Sequence, residues 1–349
     1  MVRLPDGQFL YTIERAAGKD RVACLPTLPS LAPPFPSVRV LTSAPCTPTT
    51  CGCTHNPTLQ RPGASSRSLE SRILASRKFE SVVQPDLPSS NTWQGLFARS
   101  RGAPDGDRAA PRGGLPEGVG VVQTVAVNRR LGFGLDGHIR HRVAECERIN
   151  PGSHIRALLC VSGGDPFRKL PLVSRALPTS CALLSRATRL RDRGAIPRDV
   201  ALWAVENPLL ALDADRVRRK RDAGATTFVT QPPLLRGAFE SWWDLCEQSA
   251  LLEGLGVVVG IPVITSVRSL RFWLALCDAE STPEAEALLE IFAGHERAYA
   301  GDPEGMDAVC AAYVEDMVKW SSQLPHVSGL HLMPVSAKGY RQVARALEA

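Results

Sequence analysis

Asp165, Asn207 and Gln231 each stand just past a short apolar run, and at such positions polar side chains become available for chemistry. Asp165 follows Ser162-Gly163-Gly164. The two glycines permit positive φ or close approach of a ligand to the backbone, and the carboxylate accepts hydrogen bonds. The same residue suits an Asx-turn or the N-cap of a following helix, with Pro166 complicating the cap. Gln231 ends an apolar run and precedes Pro232-Pro233. Its carboxamide is donor and acceptor at once, which suits a heterocycle carrying both groups, unless the loop backbone satisfies it. Arg216, Arg218, Arg219, Lys220 and Arg221 form a cationic run able to neutralise a diphosphate, or else one solvated helix face.

The elements that must position these residues begin in earnest at Val119. Strands are expected at Val119–Val127, Ile155–Val161, Val200–Val205, Thr226–Thr230, Gly256–Ile264 and Val327–Pro334. Helices are expected at Asp136–Ile149, Cys181–Asp192, Asp213–Ala223 (closed by Gly224), Ala238–Leu252, Val267–Cys277, Pro283–Ala293, Gly305–Leu324 and Ala337–Leu347. Short apolar strands alternating with helices argue for a parallel sheet covered by helices, either open and doubly wound or closed. No G-x-G-x-x-G follows the first strand, and each strand ends in a polar cluster. The expectation is therefore a TIM-type (β/α)8 barrel, with Asp165, Asn207 and Gln231 converging on the mouth at the C-terminal strand ends.

Upstream the pattern weakens. Residues 21–69 contain no Asp or Glu and are rich in Pro, Ser and Thr, so residues 1–67 are expected to be a disordered or targeting extension. An organellar destination (chloroplast or mitochondrion) competes with a cytoplasmic one, since Asp6, Glu14 and Asp20 are unusual for a transit peptide. The catalytic domain is expected over 68–349, with a short helix at Leu69–Leu74 and a first strand at Phe79–Val83. Residues 85–118, rich in Pro, Gly, Arg and Asp, read as an irregular segment.

The net charge of +6 is interleaved with acidic residues in helices, without zinc-finger spacing or aromatic–basic interleaving, which argues against a nucleic-acid binder. Cys51-Gly-Cys53 near His55 has poor spacing for zinc and no second pair, so no metal is expected. No run of 18 apolar residues occurs, so no membrane span is expected.

Four ordered segments carry a resemblance. Ser162-Gly163-Gly164-Asp165-Pro166, Trp203-Ala204-Val205-Glu206-Asn207-Pro208, Arg218-Arg219-Lys220-Arg221-Asp222-Ala223-Gly224-Ala225 and Phe228-Val229-Thr230-Gln231 resemble successive signatures of the methylenetetrahydrofolate reductase family over roughly 190 residues. The resemblance implies an FAD-bound barrel of the short, catalytic-only form. Such a barrel reduces 5,10-methylenetetrahydrofolate to 5-methyltetrahydrofolate with NAD(P)H, and the family usually self-associates. It implies that Asp165, with Gly163 and Gly164, lies near the flavin and stabilises a folate cation. It further implies that Asp213 binds the flavin ribityl region, that Lys220 lies near the FAD phosphates and that Gln231 contacts the folate. Asn207 holds a strand-end position where some members have Tyr, and is expected among the cofactor-binding residues.

Two departures accompany the resemblance. The family's first strand ends in a glutamate acting as general acid, and here Gln84 takes that place, without a proton to donate. Glu80 lies about 13 Å back along the strand, and Asp86 would need a change of register. The second βα unit, expected within 85–118, is degraded or missing. The alternative function is therefore a divergent member that binds flavin or folate with weak or no catalysis.

Overall fold

In the computed structural model, described residues are 10–14, 80–84, 115, 119–127, 134–162 and 178–348. Eight parallel strands close into a ring in chain order. They are β1 (Leu10–Glu14), β2 (Ser81–Gln84), β3 (Gly120–Ala126), β4 (Ile155–Val161), β5 (Ala201–Glu206), β6 (Thr227–Thr230), β7 (Gly256–Pro262) and β8 (Val327–Met333). The helices are α1 (Leu135–Ile149), α2 (Ser180–Asp192), α3 (Ala214–Asp222), α4 (Arg236–Gln248), α5 (Val267–Leu276), α6 (Pro283–Ala298), α7 (Pro303–Ser321) and α8 (Ala337–Glu348). The expected parallel α/β barrel is what forms, and from β3 onward each element lies within a few residues of its expected bounds.

The upstream staves differ. Leu10–Glu14, inside the stretch read as an extension, pairs with β2 on one side and β8 on the other. The strand expected to be first is consequently second, at Ser81–Gln84, and it pairs directly with β3. A parallel sheet with an open edge leaves unpaired N–H and C=O groups, and the Leu10–Glu14 strand closes that gap. The rest of 1–67, the helix expected at Leu69–Leu74, and 85–118 apart from Leu115 lie outside the described residues.

Alternation along the strands separates two apolar layers. Val83, Val122, Ala157, Leu159, Trp203, Val229 and Val258, drawn from six strands, form one cluster, the barrel interior. Their sequence neighbours Val82, Val121, Leu158, Leu202, Phe228 and Val257 belong to the larger cluster that includes the helix faces. Successive strand side chains point to opposite faces, so these clusters are the inside of the ring and the layer beneath the helices.

The helix starts are capped in ways the sequence encodes. Thr179, Asp213, Ser266, Thr282 and Asp302 accept backbone N–H groups at the starts of α2, α3, α5, α6 and α7. Gly224 follows α3 at φ +106°, and a Cβ there would fall 2.2 Å from Thr188 Oγ1. Only glycine meets both conditions. Three helices, α5 to α7, separate β7 from β8. α7 packs against β7, whereas α5 and α6 pack on each other.

Candidate functional site

β5 and β6 are neighbours with Glu206 opposite Thr230, so Asn207 and Gln231 leave the sheet side by side. The Gln231 backbone N–H donates to the Glu206 carbonyl at 2.7 Å and extends the pairing past the strand ends. Asn207 Nδ2 donates to the Cys277 carbonyl at 2.7 Å, and its Oδ1 accepts from the Leu209 N–H at 3.0 Å. The Cys277 thiol lies 3.8 Å from Gln231 Oε1. Cys277 directly follows α5, so the end of that helix is fastened to two adjacent strand ends at the mouth. Burial pushes its thiol up to about 12.

The structure therefore brings Asn207 and Gln231 together. Gly163, Gly164 and Asp165 lie outside the described residues. Ser162 Oγ, just past β4, accepts the Ser180 backbone N–H at 3.1 Å, which joins the end of β4 to the start of α2.

The cationic run meets its charge inside the protein. Glu206 occupies the position on β5 that alternates with Trp203 and Val205, so its side chain lies beneath α3, 1% exposed. Lys220 Nζ donates to Glu206 Oε1 and to the Val205 carbonyl, each at 2.6 Å, and Arg216 Nε donates to Glu206 Oε2 at 3.1 Å. Arg218 pairs with Asp215, Arg219 with Asp213 at 3.5 Å, and Arg221 with Asp222 at 3.7 Å. Asp213 is also the N-cap of α3, its Oδ1 accepting the Arg216 N–H at 2.9 Å. That backbone hydrogen bond, assisted by the Arg219 and Arg216 charges, holds its carboxyl below the ordinary Asp range.

Gln84 follows Val83 and so shares the helix-facing side of β2 with Val82. Its Oε1 accepts from Asn150 Nδ2 at 3.0 Å, and its carbonyl accepts from Gln123 Nε2 at 3.5 Å. The side chain sits under the turn that closes α1, on the opposite side of the sheet from the interior cluster. Among the other residues with carboxylates considered for proton transfer, Glu80 pairs with Arg156 at 2.7 Å at the start of β2. Asp86 lies outside the described residues. Glu14 ends β1 in register with Val83.

Sequence reasoning missed three residues at or near the mouth. Glu206 was visible as an acid ending an apolar strand, but its pairing with Lys220 depends on how α3 packs back over β5. Cys277 carried no signal, being one of several scattered cysteines. His331 is 4% exposed and alternates with Leu330 and Leu332, which face the helices. Gly260 brings β6 and β7 close: a Cβ there would lie 2.4 Å from the Thr230 carbonyl oxygen.

Among the described residues no group of three or more His, Cys, Asp or Glu could hold a metal ion. None of their helices is long and apolar enough to cross a membrane. A groove of about 560 Å³ lies on the outside of the barrel, between α1 and residues 194–198, lined in part by Arg140, Val143, Glu147, Ile196 and Arg198. It is separate from the strand-end site.

No protein-family model matches the chain, and no curated protein matches it. Solved structures to which it is similar include an aldose reductase from Schistosoma japonicum, at 11% identity over 82% of this chain and 79% of that one, with a TM-score of 0.38. Two others are oxaloacetate acetylhydrolase in complex with 3,3-difluorooxalacetate and phosphonopyruvate hydrolase with oxalate and Mg. The first has 10% identity, covering 73% of this chain and 86% of that one, with a TM-score of 0.33. The second has 13% identity, covering 73% and 89%, with a TM-score of 0.29. The barrel assignment rests on the strand pairing itself.

Proposed function

We propose that the chain is a flavin-dependent reductase that converts 5,10-methylenetetrahydrofolate to 5-methyltetrahydrofolate with NAD(P)H as reductant. The observation that carries this reading is the convergence of Asn207 and Gln231 at adjacent strand ends. They come from two of the four segments that resemble the reductase family, and the last three of those segments lie along β5, α3 and β6 in turn. On this reading Gln231 meets the folate, while Asp165, with Gly163 and Gly164, lies beside flavin and folate and stabilises the developing cation. Bound FAD would supply the chemistry of accepting a hydride from the nicotinamide and passing it to the folate.

The cationic helix fits the flavin only in part. Lys220 is engaged by Glu206 and 9% exposed, and Asp213 is engaged as a helix cap. Arg219 reaches back to Asp213 at the first turn of α3 through a surface pair, and such pairs exchange partners at little cost. Arg219 is therefore the better placed cation for a diphosphate.

A second reading is favoured by a specific observation. Gln84 lies on the second strand, turned to the helix side and held by Asn150, and Lys220 is held by Glu206, so the two residues expected to serve catalysis and the cofactor serve the fold here. A flavin- or folate-binding protein with weak or no reductase activity would tolerate that. The two readings separate when the full chain is mixed with FAD, freed of excess flavin and given NAD(P)H without oxygen. Flavin bands that bleach support the reductase; bands that persist support the binding protein. No retained flavin removes the reductase reading.

A further inference from the structure

Gln231 and Asn207 differ in what their carboxamides have left to offer. Both ends of the Asn207 amide are used, by the Cys277 carbonyl and by the Leu209 N–H. For Gln231 only the oxygen has a partner, the Cys277 thiol at 3.8 Å, and its amide nitrogen makes no hydrogen bond among the described residues. Gln231 is half-buried, whereas Cys277 is 0% exposed, so one partner is fixed in the core and the other borders the mouth. An unconstrained carboxamide can turn over and present either its oxygen or its N–H pair. One whose oxygen receives an S–H presents the N–H pair.

We propose that Cys277 is a positioning residue that orients the Gln231 amide, so that the mouth recognises its ligand through a hydrogen-bond acceptor, a ring carbonyl or an unprotonated ring nitrogen. The orientation is set by the chain's own residues; its assignment to a folate ring rests on the function proposed above. Two features make the device workable. The Cys277 carbonyl is anchored by Asn207, which fixes the thiol relative to both strand ends. Burial keeps the thiol protonated through neutral pH, so it remains a donor. An S–H···O contact is weak, so the expected bias is a few-fold preference of orientation and not an absolute lock.

The test uses the full chain with Cys277→Ser, which keeps a donor, Cys277→Ala, which removes it, and Gln231→Glu, which removes the N–H donors. The first readout needs no ligand. The side-chain amide resonances of Gln231, assigned by their loss in Gln231→Glu, should move toward free-amide positions in Cys277→Ala and return toward wild type in Cys277→Ser. Amide resonances unchanged in Cys277→Ala overturn the proposal. So does equal displacement in both cysteine variants, which would mean that Cys277 acts only by packing. The second readout uses 5-methyltetrahydrofolate as probe. Affinity should fall by up to about twofold in Cys277→Ala, the limit for an amide left free to turn over, recover in Cys277→Ser, and fall by more than about tenfold in Gln231→Glu. Undiminished probe binding by Gln231→Glu contradicts donation to the ligand. If the wild type fails to bind the probe while the amide resonances behave as expected, the folate assignment fails and the positioning role stands.

Discussion

Lys220 Nζ lies 2.6 Å from Glu206 Oε1, and both side chains are buried between β5 and α3. Arg216 occupies the other carboxylate oxygen at 3.1 Å. Desolvating three charges is costly, and the arrangement holds only while each has its partners. Removing the carboxylate leaves two cations facing an apolar layer. Glu206→Ala is therefore expected to lower stability by about 3–5 kcal/mol. Glu206→Gln, which keeps the volume and one acceptor, should cost less. Denaturant unfolding of the two variants checks the order; equal small losses would mean that water reaches the triad.

Gln84 makes a second structural commitment. Its side-chain oxygen accepts from Asn150 Nδ2, on the helix side of β2. Gln84→Glu puts a carboxylate in a buried site where, among the described residues, Asn150 is the one side-chain donor, an expected loss of about 1–3 kcal/mol. Turnover should not rise, because the residue faces away from the interior. A gain in folate reduction with stability unchanged would place this side chain at the mouth after all.

Gly260 is expected to be irreplaceable for a steric reason. A Cβ would meet the Thr230 carbonyl oxygen at 2.4 Å, and that oxygen is main chain and has little room to move. Gly260→Ala should separate β6 from β7 next to Gln231, at a cost of about 1–3 kcal/mol for an overpacked core position. Thermal unfolding measures the loss, and an unchanged midpoint would show that the two strands are less closely apposed.

The buried thiols give an alkaline signature. Burial pushes Cys160, Cys246 and Cys277 up to about 12, and Cys310 to about 11, from an ordinary 9.0. Below the ordinary value, folded and unfolded chains both carry these protons, so the thiols add no pH dependence. Above it the unfolded chain loses them first, and stability falls as pH rises toward the folded values. The urea midpoint should therefore decline from about pH 9 upward, and the decline should be shallower in Cys160→Ala, whose packing loss is the same at every pH. A flat midpoint to about pH 11 would contradict thiol burial.

The barrel was legible from β3 onward because each strand there is a compact apolar run, and several of the helices open on a recognisable cap such as Thr179 or Asp213. Leu10–Glu14 was not. Its five residues hold only three apolar side chains, and its partners β2 and β8 lie far away in sequence, so local pattern carries no trace of the pairing. The site was half legible. Gln231 and Asn207 announced themselves as polar residues at strand ends. Gln84 was read for its type without its alternation with Val83, which decides the face it occupies. Lys220 was read as a free cation because the acid that neutralises it, Glu206, belongs to another element.

The proposed reaction is tested most directly by its second half. The full chain, reconstituted with FAD and reduced by NAD(P)H without oxygen, is mixed with 5,10-methylenetetrahydrofolate while the flavin absorbance is followed. Reoxidation of the flavin with formation of 5-methyltetrahydrofolate, slowed in Gln231→Ala, is the predicted result. A reduced flavin that stays reduced when the folate is added, in a protein shown to bind it, would contradict the reductase reading.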